Sequence, residues 1–309
     1  MNDSKKITIN SNKNLEKLSI INQQISIYNK LVDRSSERLA KEYFEEAVIL
    51  HYKSKDYYRA NELYEKAIEL KPDFEQAIDN YAQNMRLNIK DYIKAIDLYS
   101  KLIDINPKYE YAYYRRSRCK EYLKNYIGAI EDRIEYIKVN SIINSDDYVS
   151  IARIKFKIFD FKGAIEDCYK AIEIDNKNSY AFTYLGQAKF NLQNYEDAII
   201  DFKTSIELQI EEIKLRDYNQ RFSYTTLLYY GKAKFELQEY KSALKIFLKC
   251  IEQYPKNHFI YELIAKVYEK LNNFEDYKIN IDKFNLLNEA YLKIIEKDLL
   301  RKKNDENIK

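Results

Sequence analysis

Residues 194–205, Asn-Tyr-Glu-Asp-Ala-Ile-Ile-Asp-Phe-Lys-Thr-Ser, contain a pattern that recurs along the chain: a polar residue, an aromatic residue, two variable residues and an alanine. The intervals between successive alanines are 35, 34, 35, 34 and 45 residues. The alanines are Ala60, Ala95, Ala129, Ala164, Ala198 and Ala243. Mostly apolar residues follow each alanine at i+4 and i+7, which places them on one helix face. We therefore predict a repeat of about 34 residues, in which each unit is a pair of helices.

The composition of the 309-residue chain also favours helices. It is 46% hydrophobic, which excludes wholesale disorder, and it has 4 glycines and 3 prolines, too few for the turns of an all-β fold or for a glycine-rich nucleotide site. Pro72, Pro107 and Pro255 follow the second helix of a unit, where proline ends a helix at little cost. Gly186 and Gly231 occupy equivalent positions in first helices, where the missing side chain would let two helices approach closely.

Charge and cysteine content exclude several functional classes. Lys plus Arg number 52 and Asp plus Glu 49, so the net charge of +3 lacks the basic excess of a dedicated DNA-binding protein. We find no apolar run of membrane-spanning length and no signal peptide. Three widely spaced cysteines form neither a disulfide framework nor a zinc site. We therefore expect a cytoplasmic protein.

The repeat resembles the tetratricopeptide repeat, and the copy nearest to that family's pattern contains Phe182, Leu185-Gly186, Tyr195, Ala198 and Phe202. Lys189 takes the place of the usual Tyr in this copy. Six copies begin near Lys41, Glu75, Glu110, Ser145, Ser179 and Tyr224, and a degenerate seventh begins near His258, with Tyr277 in place of the alanine. The resemblance implies an all-α, right-handed α-α superhelical solenoid of helical hairpins and a protein-binding role.

The sequence suggests five segments. Residues 1–14 are expected to be disordered, 15–36 to form an amphipathic capping helix, and 37–287 to form about seven repeat units. A second capping helix is expected at 288–300 and a polar tail at 301–309. Within the array, an insertion at 209–223 has charges of both signs and no Pro or Gly. It is interpreted as lengthened helices joined by a polar loop, with a private partner contact as the alternative.

Residues that could support catalysis are better explained by packing. His51 and His258 are about six repeats apart, and in a solenoid each repeat contacts only its neighbours. The three cysteines fall at positions where sibling units have packing residues. Neither a nucleophile–base pair nor a metal-ligand spacing remains. We therefore expect no enzymatic activity, no cofactor and no metal.

The exposed face of each first helix is the strongest candidate for a binding surface, because in this architecture these helices line a concave groove. Arg and Tyr are enriched at binding hot spots, and Arg recognises carboxylates. The predicted groove consists of Tyr111, Tyr114, Arg115, Arg118, Arg153, Tyr180, Tyr184, Gln187, Tyr229 and Lys232. We hypothesise that it binds an extended peptide bearing acidic residues. The alternative is that its tyrosines reflect a general compositional bias, since the chain has 31 of them.

The groove composition favours a scaffold or adaptor that binds a peptide or a helix of another protein. A chaperone C-terminal tail is disfavoured, because no three consecutive units carry the Lys, Asn and Arg set that the family uses for such tails. Two alternatives stay open: a regulatory subunit of a larger enzyme complex, and RNA binding through stacking on Arg and Tyr. The small net charge argues against RNA.

Overall fold

The computed structural model describes the backbone of residues 3–216 and 223–306, and the side chains of residues 22–26, 31–214 and 223–297. Within these ranges the regular secondary structure is entirely helical. The chain divides into two compact bodies, the N-terminal body Met1–Ser141 and the C-terminal body Ile142–Lys309. In the described part of the chain, no helix is both long enough and apolar enough to pass through a lipid bilayer.

Consecutive helices pack against each other as hairpins, and odd-numbered helices are the first helices of these hairpins. The helices of the N-terminal body are α1 (Asp3–Ile49), α2 (Tyr57–Leu70), α3 (Glu75–Asn84), α4 (Tyr92–Ile105), α5 (Glu110–Tyr122) and α6 (Tyr126–Val139). Those of the C-terminal body are α7 (Ser145–Lys157), α8 (Phe161–Ile174), α9 (Ser179–Asn191), α10 (Tyr195–Arg216), α11 (Tyr224–Glu236), α12 (Tyr240–Gln253), α13 (His258–Lys270) and α14 (Phe274–Glu306). The predicted all-α hairpin fold is confirmed.

The recurring sequence pattern starts the second helix of each hairpin. Its polar residue is the N-cap at Asp56, Asp91, Asn125 and Asp160, where the side-chain oxygen accepts a hydrogen bond from the backbone N–H three residues later. All six alanines of the pattern are completely buried. The capping side chain therefore sets where the helix begins, and the alanine sets how closely it approaches its partner.

Glycine at the facing position of two first helices makes room for an aromatic ring. A Cβ atom added to Gly186 would lie 2.7 Å from the ring of Phe202, which is completely buried. Gly231 faces Phe247 in the same way. The close approach that these glycines predict is therefore present in the structure.

Lysine–aspartate ion pairs lie inside three successive hairpins. Lys120 approaches Asp132 at 2.9 Å, Lys155 approaches Asp167 at 2.6 Å, and Lys189 approaches Asp201 at 2.7 Å, with each carboxylate almost fully buried. The ammonium groups of Lys120 and Lys155 also donate to the carbonyl oxygens of Gly128 and Gly163, at 3.3 Å in both cases. These pairs join the two helices of a hairpin, which explains why Lys189 replaces the usual Tyr.

Two first helices in the N-terminal body end in a π-helical turn. These turns are Leu50–Ser54, which continues α1, and Met85–Ile89, which continues α3. A π turn accommodates one extra residue without breaking the helix. The turn after α3 thus accommodates one extra residue in the 35-residue interval between Ala60 and Ala95.

The flanking segments are continuous with the repeats. Helix α1 runs unbroken from Asp3 to Ile49, and it spans most of the segment 1–14, the segment 15–36 and the start of the first repeat. The physical reason is that the chain has no proline before Pro72 and no glycine before Gly128. Helix α14 likewise joins the seventh hairpin to the expected capping helix and to most of the expected tail, and residues 307–309 lie outside the described residues.

The insertion between the fifth and sixth repeats begins as helix. Helix α10 continues through residues 209–216, and residues 217–222 lie outside the described residues. Gln209 is buried and its side-chain oxygen accepts a hydrogen bond from the backbone N–H of Ser223 at 2.8 Å. This contact fixes the end of the insertion against α10.

The glycine–phenylalanine contact gives a stability prediction. Replacing Gly186 with Ala gains about 1 kcal/mol of helix propensity but introduces a clash with Phe202 that costs about 1–3 kcal/mol. We expect a net loss of up to about 2 kcal/mol in urea unfolding. The variant Phe202→Leu should cost less in the Gly186→Ala background than in the wild type, because the smaller side chain relieves the clash. Strict additivity of the two changes would contradict the contact.

Candidate functional site

An ion pair between two neighbouring first helices dominates the candidate surface of the N-terminal body. The Arg115 guanidinium on α5 contacts the Asp79 carboxylate on α3. The Tyr109 hydroxyl and the Gln83 amide each donate a hydrogen bond to Asp79 Oδ2 at 3.0 Å. The predicted groove residue Arg115 therefore already has a carboxylate partner within its own body.

The surroundings of Asp79 shift the ionisation of its neighbours. Desolvation, together with the charge of Asp79 and its hydrogen bond, raises the pKa of Tyr109 to about 12. Desolvation alone would lower the pKa of Arg115, but the hydrogen bond and charge of Asp79 raise it on balance. Arg115 and Asp79 are thus a mutually stabilised pair that a ligand carboxylate would have to disrupt.

The other α5 groove residues are more accessible. Tyr111 is exposed and lies under the Arg115 guanidinium, with 5.4 Å between the guanidinium carbon and the ring centroid. Tyr114 is partly exposed and stacks on the buried Arg133 of α6 at 3.9 Å. Among the residues whose side chains are described, Arg118 has one ion-pair contact, a long one of 3.9 Å to Glu121. Of the two α5 arginines predicted for the groove, Arg118 is the one whose charge remains accessible.

The predicted groove residues of the C-terminal body differ in exposure. Tyr180 is 59% exposed, whereas Gln187 is only 5% exposed and lies within the packed interface of α9. Tyr184 and Tyr229 are half-buried, and Tyr229 packs edge-to-face on Phe190 with 5.3 Å between ring centroids. Arg153 is half-buried on α7. Tyr184 and Tyr229, each the sixth residue of its first helix, therefore contribute to packing as well as to the surface.

Lys232 on α11 is a half-buried cation. Its ammonium lies 5.3 Å from the centroid of the Tyr229 ring, and no carboxylate of a described residue forms an ion pair with it. Desolvation, and then the charge of Lys266, lowers the pKa of Lys232. Lys266 itself is paired with Glu262 at 2.6 Å. Lys232 thus combines positive charge, partial dehydration and an adjacent aromatic ring.

A buried hydroxyl network positions the first helices of the C-terminal body. The Thr183 hydroxyl lies 2.7 Å from that of Ser205 and 2.8 Å from that of Thr226. The Gln209 amide donates to the Ser205 hydroxyl at 3.0 Å. This network links α9, α10 and α11, and it fixes how Tyr180 and Lys232 are presented. The sequence did not reveal this network, because position along a single helix does not show the contacts of a side chain with neighbouring helices.

The histidines and cysteines occupy packed positions. His51 lies between the Tyr64 hydroxyl at 3.2 Å and the Asn88 amide at 3.1 Å, and burial lowers its pKa. Burial raises the pKa of Cys119 to about 11 and that of both Cys168 and Cys250 to about 12. All three cysteines are therefore protonated thiols at neutral pH. In the described residues, no three His, Cys, Asp or Glu side chains are grouped so that they could hold a metal ion.

Comparisons with known proteins agree with the repeat. Two family models, both described as tetratricopeptide repeat, match four segments: residues 225–257 match one model, and residues 49–74, 148–178 and 181–209 match the other. No curated protein matches the chain by sequence. The resemblance inferred from the residues is thereby confirmed.

Solved structures share the fold at low sequence identity. The MamA structure is 20% identical with a TM-score of 0.52, and the match covers 60% of this chain and 98% of MamA. The C-terminal part of a repeat-containing protein from Cytophaga hutchinsonii is 21% identical with a TM-score of 0.53, over 67% of this chain and 78% of that one. PilF from Pseudomonas aeruginosa is 12% identical with a TM-score of 0.52, over 75% and 99%. At such identities the similarity shows a common fold.

The two α5 arginines should differ in their contribution to stability. Replacing Arg115 with Met leaves the buried Asp79 without its cation, and we expect a loss of about 1–3 kcal/mol in urea unfolding. Replacing Arg118 with Met removes a long contact to the buried Glu121, which has other interactions, and should cost less than about 1 kcal/mol. Equal losses for the two variants would contradict the assignment of Arg115 to structure and of Arg118 to the accessible surface.

Proposed function

We propose that this chain, which belongs to the tetratricopeptide repeat family, is a non-catalytic scaffold that binds an extended segment of a partner protein. The segment lies along the exposed faces of first helices, and it carries acidic residues. The predicted groove residues contribute unequally. Exposed tyrosines supply contact area, while the accessible cations supply charge.

The observation that carries this proposal is the environment of Lys232. A half-buried ammonium has lost part of its hydration, so a ligand carboxylate that pairs with it recovers electrostatic energy at little further desolvation cost. The Tyr229 ring beside it offers a flat surface to the ligand's backbone or apolar side chains. Tyr180, which is exposed on the preceding first helix α9, offers further contact area within the same body.

The N-terminal body offers a second, separate surface of the same chemistry. Tyr111 is exposed there, and the charge of Arg118 is accessible because its contact with Glu121 is long. Arg115 contributes mainly by holding the Tyr111 ring in place, since its own charge is neutralised by Asp79. An acidic segment would therefore contact Arg118 rather than Arg115.

The compartment proposed for this activity is the cytoplasm. All three cysteines are free and buried, which suits a reducing environment. The function also needs no reactive group, because binding through shape, aromatic contact and charge requires none of the perturbed nucleophiles or bases of an active site.

Charge reversal tests the proposed function. Affinity purification with mass spectrometry identifies partners of the wild type, and tiled peptides of the captured partner locate the bound segment. We expect Lys232→Glu or Arg118→Glu to weaken binding of that peptide about tenfold or more, because attraction becomes repulsion. Lys241→Glu reverses an exposed charge on the second helix α12 and serves as the control.

Measurements with the tiled peptides can also contradict the proposed function. Binding that is equal for the wild type and both groove variants, or a bound segment without acidic residues, would contradict the proposal. If the Lys241→Glu control also lost binding, the effect would be one of overall charge. That result would likewise contradict the placement of the binding site on the exposed faces of the first helices.

A further inference from the structure

A second surface feature of the C-terminal body lies at the start of its last hairpin. We define the aromatic cleft as the space of about 620 Å³ lined by Tyr254, Pro255, Lys256, Asn257, His258, Phe259 and Tyr291. The lining residues come from the loop before α13, from the first turn of α13 and, in the case of Tyr291, from α14. Its lining is mostly apolar.

The aromatic cleft exists because the second helix of this hairpin is unusually long. Helix α10 is lengthened in the same way, and a cleft of about 380 Å³ lies between it and the start of α9. Glu212 of that cleft occupies the position equivalent to Tyr291, fourteen residues after the position of the recurring alanine in both hairpins. One hairpin geometry thus forms a polar cleft in one place and an aromatic cleft in the other.

The imidazole of His258 lies in the wall of the aromatic cleft. His258 is 6% exposed, and its ring centroid lies 4.0 Å from that of Phe259, 5.0 Å from that of Tyr291 and 5.9 Å from that of Phe284. No described residue forms a hydrogen bond with its side chain. The imidazole nitrogens are therefore available to form a hydrogen bond with a ligand.

We propose that the aromatic cleft binds a large apolar side chain of a partner protein, with a carboxylate next to it. Aromatic rings provide the contact area for the apolar group. Among the residues that line the cleft, Lys256 carries the formal charge, and it complements the carboxylate. The imidazole of His258 supplies a directional hydrogen bond to the same acidic group.

A protein side chain suits the cleft better than a free metabolite does. Phe259 is 54% exposed and Tyr291 is 47% exposed, so the cleft is open along one side. Small-molecule sites normally enclose most of their ligand. An open aromatic cleft instead accepts a side chain that stays attached to a partner surface. This site does not depend on Lys232 or Arg118, and its test is therefore independent of the proposed groove function.

Single-residue probes test the chemistry of the aromatic cleft. The chain has 2 histidines, so the imidazole C–H signals of His258 can be followed by NMR, with His51 as an internal reference. N-acetylphenylalanine should shift the His258 signals saturably, with a dissociation constant on the order of millimolar. N-acetylphenylalaninamide, which lacks the carboxylate, should bind several-fold more weakly, and N-acetylalanine should cause no shift.

Two tyrosines of equal exposure provide a matched pair of variants. Tyr291→Ala should weaken binding of N-acetylphenylalanine about tenfold or more, because it removes one wall of the cleft. Tyr169 on α8 is also 47% exposed, and Tyr169→Ala should leave binding unchanged. Lys256→Gln should reduce the affinity for N-acetylphenylalanine to that for its amide. The groove variant Lys232→Glu should bind as the wild type does.

Several results would overturn the proposal. One is a His258 signal that N-acetylphenylalanine does not shift, and another is an equal shift with N-acetylalanine. A third is equal affinity of Tyr291→Ala and the wild type for N-acetylphenylalanine, when the variant has the helical circular dichroism of the wild type. A random peptide library selected on the wild type and counter-selected on Tyr291→Ala should enrich an aromatic or branched aliphatic residue beside Asp or Glu. Failure to enrich such a pair would overturn the assignment of the cleft to a protein partner.

Discussion

The close approach of two helices within each hairpin is the constraint on which the rest of the structure depends. The alanine of the recurring pattern has no exposed surface in any of its six copies, and Gly186 and Gly231 lie against the rings of Phe202 and Phe247. Small side chains at these points let larger neighbours fill the remaining space at the density of a protein interior. Because the packing fixes which face of a first helix points inward, it also fixes which residues face outward and can bind a partner.

Polar groups in this protein divide into those used for folding and those left for recognition. Asp132, Asp167 and Asp201 are held by lysines inside their hairpins. Buried ion pairs of this kind cost desolvation energy and are more easily justified by specificity than by stability. They can favour the correct pairing of otherwise similar helices. On the outer faces, the Arg115–Asp79 pair is satisfied internally. Lys232 forms no ion pair with a described residue, and the imidazole of His258 forms no hydrogen bond with one, so both groups can contact a partner.

The sequence predicted the features that depend on local chemistry. The helical repeat and the close contacts of the glycines follow from residue type and spacing, and the structure confirms them. Other features depend on tertiary context. Lys55, Phe159 and the equivalent residue of every other hairpin turn have a positive φ of 56° to 65°, although none is a glycine, so no sequence pattern marked these turns. Gln187 was predicted to face the groove but is buried. Neighbouring first helices pack closely around it, and its position along one helix does not show this packing.

Hydrogen exchange after enlarging one of the recurring alanines tests the account most directly. Ala198→Leu forces a larger side chain between α9 and α10, and in a stack of hairpins the disturbance should pass only to neighbouring helices. We predict faster amide exchange in α9, α10 and α11, with exchange in α13 and in the N-terminal body unchanged. Unaltered exchange throughout the chain, or an increase of equal size in every helix, would contradict the view that closely packed hairpins hold the binding faces in place.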